Sequence, residues 1–115
     1  MPEISYDDFA KLDIRVGTVL TAELIPDTDK LVKCTVDFGD PLSGGLGTRT
    51  IVSGIALFRK PEDLIGKQLP YVVNLAPRLL RGVESQGMLL AASPDGEGLA
   101  LLVPDVAVPN GTKLK

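Results

Sequence analysis

Between residues 31 and 38 the chain alternates with a period of two: Val32, Cys34, Val36 and Phe38 are apolar, and Lys33, Thr35 and Asp37 are polar. That pattern fits a strand with one face buried and one in water, and it does not fit a helix, whose apolar positions recur every three or four residues. Such a strand carries unpaired amides along both edges and needs neighbours. Residues 13–24 read as a long first strand with Ile14, Val16, Val19 and Leu20 as its apolar positions. Gly17 inside it predicts a bulge or bend, so that one strand can serve two sheets. Residues 50–52, 69–75 and 87–93 supply the third to fifth strands, and 99–103 a last short one.

The connections agree with this reading. Pro26-Asp27-Thr28-Asp29 and Pro94-Asp95-Gly96 are turn sequences, and residues 39–48, with four glycines, predict a flexible hairpin loop. Ser5 is placed to cap a short helix over residues 5–12, with Asp8 near its positive end and Phe9 and Leu12 on one face. One turn of helix is not stable alone, so Phe9 and Leu12 are expected to dock on the rest of the chain. Residues 61–66 predict a helical turn, with Pro61 where a helix starts and Gly66 where it stops. Residues 104–111 read as an extended tail. Five main strands with a helical element between the third and fourth make an all-β, five-stranded Greek-key barrel of the OB type, with a short N-terminal helix and a C-terminal extension. At 115 residues the expectation is one domain over 1–115.

Composition excludes several functions. The chain has no histidine, which removes Ser-His and Cys-His dyads, His-ligated zinc and the commonest general base at neutral pH. Cys34 is the only cysteine, so no intrachain disulfide or cysteine metal framework can form, and it is expected to pack inward as a small apolar residue. No nucleotide-binding glycine loop is present, and Asp27 and Asp29 sit in a turn where aspartate is commonplace. A non-catalytic module without cofactor or metal is the expectation. Apolar runs are too short to span a bilayer, and the acidic N-terminus is unlike a signal peptide, which places the chain in the cytoplasm.

The formal charge of −3 is unevenly spread. Residues 49–81 hold six basic side chains (Arg49, Arg59, Lys60, Lys67, Arg78, Arg81) against Glu62 and Asp63, whereas residues 82–112 hold four acids and no base. A polarised domain can hold RNA on one side despite a negative total.

Three segments carry a resemblance: Asp13-Ile14-Arg15-Val16-Gly17 through Asp29-Lys30-Leu31; Ile51-Val52-Ser53-Gly54-Ile55-Ala56; and Asn74-Leu75-Ala76-Pro77-Arg78 with Arg81-Gly82-Val83-Glu84-Ser85-Gln86-Gly87-Met88. Together, from about Phe9 to the C-terminus, they resemble the tRNA-binding domain of methionyl-tRNA synthetases, of stand-alone structure-specific tRNA-binding proteins and of CsaA-type secretion chaperones. The resemblance implies an OB-fold that binds folded tRNA by phosphate and shape contacts, acts as an accessory to methionyl-tRNA synthetase, and forms a homodimer in its short forms. Its alternative is a dimeric peptide-binding chaperone of the CsaA type. The 41–47 loop is longer than the linker usual in that family, and Arg78-Leu79-Leu80 replaces a more basic stretch.

Candidate contacts follow from residue chemistry. Arg78 and Arg81, assigned to the turn after the fourth strand, are suited to phosphates. Lys30 and Lys33 flank the second strand, on the face OB-folds commonly use, and Arg49 opens the third; a rim salt bridge is the competing role for Arg49. Asn74, Ser85 and Gln86 suit riboses and base edges, or else cap turns and bond barrel backbone. Gly54, Gly82 and Gly87 are expected to meet backbone needs. With aromatics at only 4%, and Phe9 and Phe38 expected in the core, only Tyr6, Phe58 and Tyr71 remain for stacking, which disfavours a single-strand binder. Tyr6, Phe9, Val103, Val106 and Val108 are the expected dimer contacts, because they would otherwise expose apolar surface.

Overall fold

A computed structural model describes residues 2–115. In chain order its elements are α1 (Tyr6–Ala10), β1 (Ile14–Leu24), β2 (Val32–Asp37), β3 (Thr48–Ser53), β4 (Gln68–Val72), β5 (Arg78–Leu80), β6 (Val83–Ser85), β7 (Met88–Leu89), β8 (Ala91–Ala92) and β9 (Ala100–Leu101). Single 3-10 turns lie at Pro41–Ser43, Pro61–Asp63 and Pro94–Gly96. The main sheet is a curled, antiparallel, five-stranded one in the order β3-β2-β1-β4-β7, an OB-like arrangement. Two small hairpins, β5-β6 and β8-β9, are added to it.

β1 does what its length predicts. Ile14 to Thr18 pair with β4, and Thr18 to Leu24 pair with β2, with a register shift between Val19 and Thr21. The irregularity thus falls at Leu20 rather than at Gly17. Gly17 has a different reason to be glycine: a Cβ there would lie 2.7 Å from Cε1 of Phe38.

The alternation in β2 points Val32, Cys34, Val36 and Phe38 inward, all buried, beside Val19, Ile51, Leu69 and Tyr71. Phe38 and Tyr71 meet edge to face at 5.5 Å, which corrects the expectation that Tyr71 is free for stacking. Each such side chain contributes roughly 1.5–3 kcal/mol on burial. The expected fifth strand is broken in two: Leu90 donates its amide to Pro70 O, with β7 pairing to β4 and β8 to β9.

The 39–48 connection carries its own hydrogen bonds. Asp40 accepts from the Leu42 amide at 2.9 Å, and Phe38 N–H and Gly47 N–H donate to Gly47 O and Gly39 O, both at 2.8 Å. Ser5 caps α1 as expected, its hydroxyl accepting from the Asp8 amide at 3.1 Å. The helix buries nothing fully, however. Tyr6 is 78% exposed and Phe9 37%, so Phe9 is not a core residue.

Residues 110–114 return to β1. Val16 N–H donates to Thr112 O, Gly111 N–H to Val16 O and Leu114 N–H to Ile14 O, at 2.7–2.9 Å. Asn110 locks this return, its side chain engaging Thr18, Gln68 and Asp37.

Candidate nucleic-acid interface

The 78–85 segment, expected to be a turn, is a β-hairpin. Arg78 pairs with Ser85, Leu79 with Glu84 and Leu80 with Val83, leaving Arg81 and Gly82 as a two-residue connection. Both have positive φ, 51° and 81°, the geometry that matches the twist of the flanking strands. Gly82 adopts it freely, whereas an arginine there carries the steric penalty of a Cβ in the left-handed region. Arg81 is therefore at the exposed tip, and Arg78 stands on a strand.

The hairpin packs along the free edge of β3. Its anchor is Ser85, buried, whose hydroxyl accepts from the Val52 amide at 2.9 Å and donates to Gly87 O at 3.2 Å. Gln86 continues the seam: its Oε1 accepts from the Thr50 amide at 3.0 Å, and its own amide donates to Thr50 O at 2.8 Å. These two residues join β3 to the segment leading into β7, so the sheet's edges meet through side chains where the ladder is interrupted.

Between hairpin, the end of β3 and β7–β9 lies a cleft of about 410 Å³ with Leu31, Ile55, Leu89 and Leu99 among its apolar lining, and Arg78 and Gly54 at its wall. Cations cluster around it. Lys33 stands directly opposite Val52 in the β2–β3 ladder and so shares its outer face. Lys30 and Arg81 line a neighbouring hollow of about 330 Å³ that shares Leu31 with the cleft. Arg59, which sequence reasoning counted among the bases but did not single out, donates to Leu99 O at 3.0 Å and so borders the opposite wall. Its signal lay only in the charge run. Among the described residues, neither Arg78 nor Arg81 has a carboxylate partner. Three acids temper the field: Asp27 and Asp29 line the Arg81 hollow, and Glu23 lies 3.8 Å from Lys33.

The remaining candidates sit elsewhere, with their polar groups engaged inside the chain. Arg49 is half-buried and donates to Val73 O at 2.7 Å and, more loosely, to Gln86 O at 3.4 Å. Asn74 accepts from the Asp13 amide at 2.9 Å and donates to Lys11 O at 2.6 Å, tying the exit of α1 to the barrel. Nearby, Arg15 grips both carboxylate oxygens of Asp13, at 2.9 and 3.2 Å, and that hydrogen bonding holds the Asp13 carboxyl below its usual range against the opposing effect of burial. Burial pushes the Cys34 thiol up to about 11, in keeping with a packing role.

A second surface lies at the chain's ends. Tyr6, Phe9, Leu12 and Leu114 line one hollow of about 240 Å³, and Leu102, Val103, Pro104 and again Leu114 line another of about 250 Å³. Val103 is 59% and Val106 65% exposed. Of the expected dimer contacts, Tyr6, Phe9 and Val103 thus gather around Leu114. Val106 and Val108 are not in either lining, and the Val108 backbone is held by Gln68 at 3.0 and 2.7 Å.

Among the described residues no group of three His, Cys, Asp or Glu is placed to hold a metal, and no helix is long and apolar enough to cross a membrane. Barrel, clasped hairpin and cation-ringed cleft define a binding module of the OB type. The chain belongs to the tRNA binding domain family, whose sequence profile matches residues 14–113. It is 56% identical over 110 residues to a methionine–tRNA ligase of Flavobacterium psychrophilum, covering 94% of this chain and 15% of that protein. The chain spans about one sixth of the length of the ligases it matches; for that of Bacteroides fragilis the share is 16%. Among solved structures it is similar to a MetRS related protein from Pyrococcus horikoshii, with a TM-score of 0.91, 42% identity and full coverage of both chains. It is also similar to the chaperone CsaA of Bacillus anthracis, with a TM-score of 0.86, 34% identity and coverage of 99% of this chain and all of that one.

Proposed function

We propose that this chain binds folded tRNA in the cytoplasm through phosphate and shape contacts, as a homodimer, and serves methionyl-tRNA synthetase as an accessory or appended module. The observation that carries the reading is the convergence of Arg78, Arg81, Lys30, Lys33 and Arg59 around one face, with the two hairpin arginines unpaired. Mobile permanent charges at a rim neutralise phosphates without requiring a positive total. The buried Tyr71 and Phe38 leave few rings for stacking unpaired bases in series, which favours a rigid, folded RNA over a single strand. Membership of the tRNA binding domain family and likeness to a methionine–tRNA ligase support the same partner. The apolar hollows around Leu114 supply the dimer surface, with Tyr6, Phe9 and Val103 as central contacts, while Val106 and Val108 lie outside both linings.

The test is an anisotropy titration with folded tRNA against a heat-denatured, length-matched RNA. Folded tRNA is expected to bind more tightly, and with about four phosphates neutralised the affinity falls on the order of a hundredfold between ~50 and ~200 mM salt. The double variant Arg78→Ala plus Arg81→Ala is expected to weaken binding and flatten that slope. Equal affinity for the denatured RNA refutes the reading.

A second reading, a peptide-binding chaperone, draws on the apolar lining of the cleft and the likeness to CsaA. Size-exclusion chromatography with tRNA and then with an unfolded polypeptide separates the two, and a monomer at micromolar concentration removes the dimer.

A further inference from the structure

Gly54 has no internal reason to be glycine. Its φ lies outside the left-handed region, and a Cβ built on it meets nothing within 4 Å, unlike Gly17, which faces Phe38, and Gly82, which needs positive φ. The expectation of a backbone necessity therefore fails at this position. A glycine following a strand loses more conformational freedom on folding than any other residue. Where nothing inside the chain demands one, a bare backbone at an exposed bend leaves room for close approach by another molecule. Gly54 lies in the wall of the 410 Å³ cleft, a size within the usual range for small-ligand sites.

We infer that this cleft takes one nucleobase splayed out of the bound RNA, its flat face over Gly54 and the apolar lining and its phosphate on Arg78. The inference rests on the tRNA reading above and deepens it. Three features favour a nucleotide over an apolar peptide segment. The lining includes a guanidinium and no carboxylate. The cleft is bordered by a further cation, Arg59 at Leu99, and adjoins the Lys30–Arg81 hollow, so a ligand there should carry negative charge next to an apolar plane. The wall at Gly54 is bare backbone, against which a flat ring packs more closely than a branched side chain. A base in this cleft would give a module short of exposed aromatics one stacking-like contact, contributed by aliphatic side chains and backbone.

The experiment is a graded plug: Gly54→Ala, Gly54→Val and Gly54→Leu, with thermal unfolding measured for each. The alanine methyl group meets nothing, so that variant is expected to fold even should the leucine variant fail. Binding of folded tRNA is expected to weaken progressively with side-chain size, reaching roughly ten- to a hundredfold for leucine. Dimethyl sulfate probing is expected to show one or two bases protected by the wild type and reactive with the leucine variant, while ethylnitrosourea probing shows phosphate protection at the hairpin contacts persisting. Unchanged tRNA affinity and unchanged base protection in folded Gly54→Leu overturns the inference and leaves the tRNA reading intact. Loss of binding to an unfolded polypeptide, with tRNA binding unaltered, also overturns it by making the occupant a peptide. Absence of any tRNA binding by the wild type at low salt refutes both readings together.

Discussion

Ser85→Ala separates a residue that closes the barrel from one that touches RNA. The serine hydroxyl accepts from the Val52 amide at 2.9 Å and donates to Gly87 O at 3.2 Å, and Ser85 and Val52 are both buried, at 4% and 7% exposure. Alanine leaves the Val52 donor without a partner in a site that water does not readily reach. An unsatisfied buried donor costs about 1–3 kcal/mol. Loss of the weaker bond to Gly87 O adds little, because a carbonyl with two lone pairs tolerates under-satisfaction better than an orphaned N–H. A midpoint of about 2 kcal/mol corresponds, at this chain length, to a fall in Tm of roughly 8–12 °C. Differential scanning fluorimetry reads that shift, and urea unfolding at 25 °C converts it into free energy. The folded fraction of the variant, titrated with tRNA well below its Tm, should bind within about twofold of wild type. A Tm within about 1 °C of wild type, or a large loss of tRNA affinity at unchanged stability, would refute the argument and return Ser85 to the RNA-contacting set.

Arg81→Asn relieves the left-handed strain at the hairpin tip, so stability should rise by about 0.5–1 kcal/mol while the log–log salt slope of tRNA binding falls by about 0.9; a variant that loses stability argues against the turn geometry. Cys34, with its thiol pushed up to about 11 by burial, should react with Ellman's reagent at pH 8 on the order of a hundredfold more slowly in the native protein than in urea. Rapid native labelling would contradict its packing role. Asp13 has its folded pKa lowered by Arg15, so its stabilisation is fully present above the unfolded value of about 4 and is lost as pH falls through the folded one. Asp13→Asn should therefore cost about 1 kcal/mol at pH 7 and abolish that part of the acid transition, as urea midpoints between pH 2 and 7 would show. An unchanged acid transition contradicts the assignment.

How far the sequence spoke depended on whether the signal was local. Alternation placed β2 and its buried face because period two is a property of neighbouring residues, and Ser5 announced its helix because capping is decided within one turn. The β5–β6 hairpin was missed for the opposite reason. Its connection has arginine where asparagine or aspartate is the familiar cue, and its strands of three residues are too short for periodicity to register. That omission put Arg78 in a turn and hid the cleft altogether, since the cleft exists only once the hairpin packs along the edge of β3. Residue type alone leaves Asn74, Ser85 and Gln86 between RNA and backbone. Their long-range hydrogen-bond partners lie 33 to 63 residues away, so only the assembled barrel shows where these polar groups are directed. Residue type alone assigns Gly54 a backbone need, and its φ outside the left-handed region removes that explanation.

The return of residues 110–114 to β1 has a consequence for the order in which the molecule can be made. Ile14 and Val16 find their outer partners at Leu114, Thr112 and Gly111, whereas their inner partners come from β4. Closing loops of that span precedes any reward from the contacts, which places the protein among slow, non-local folders. Until residues 110–114 dock, one edge of the first half of β1 stays unpaired, so a segment about a hundred residues away in sequence is the latch of the first strand.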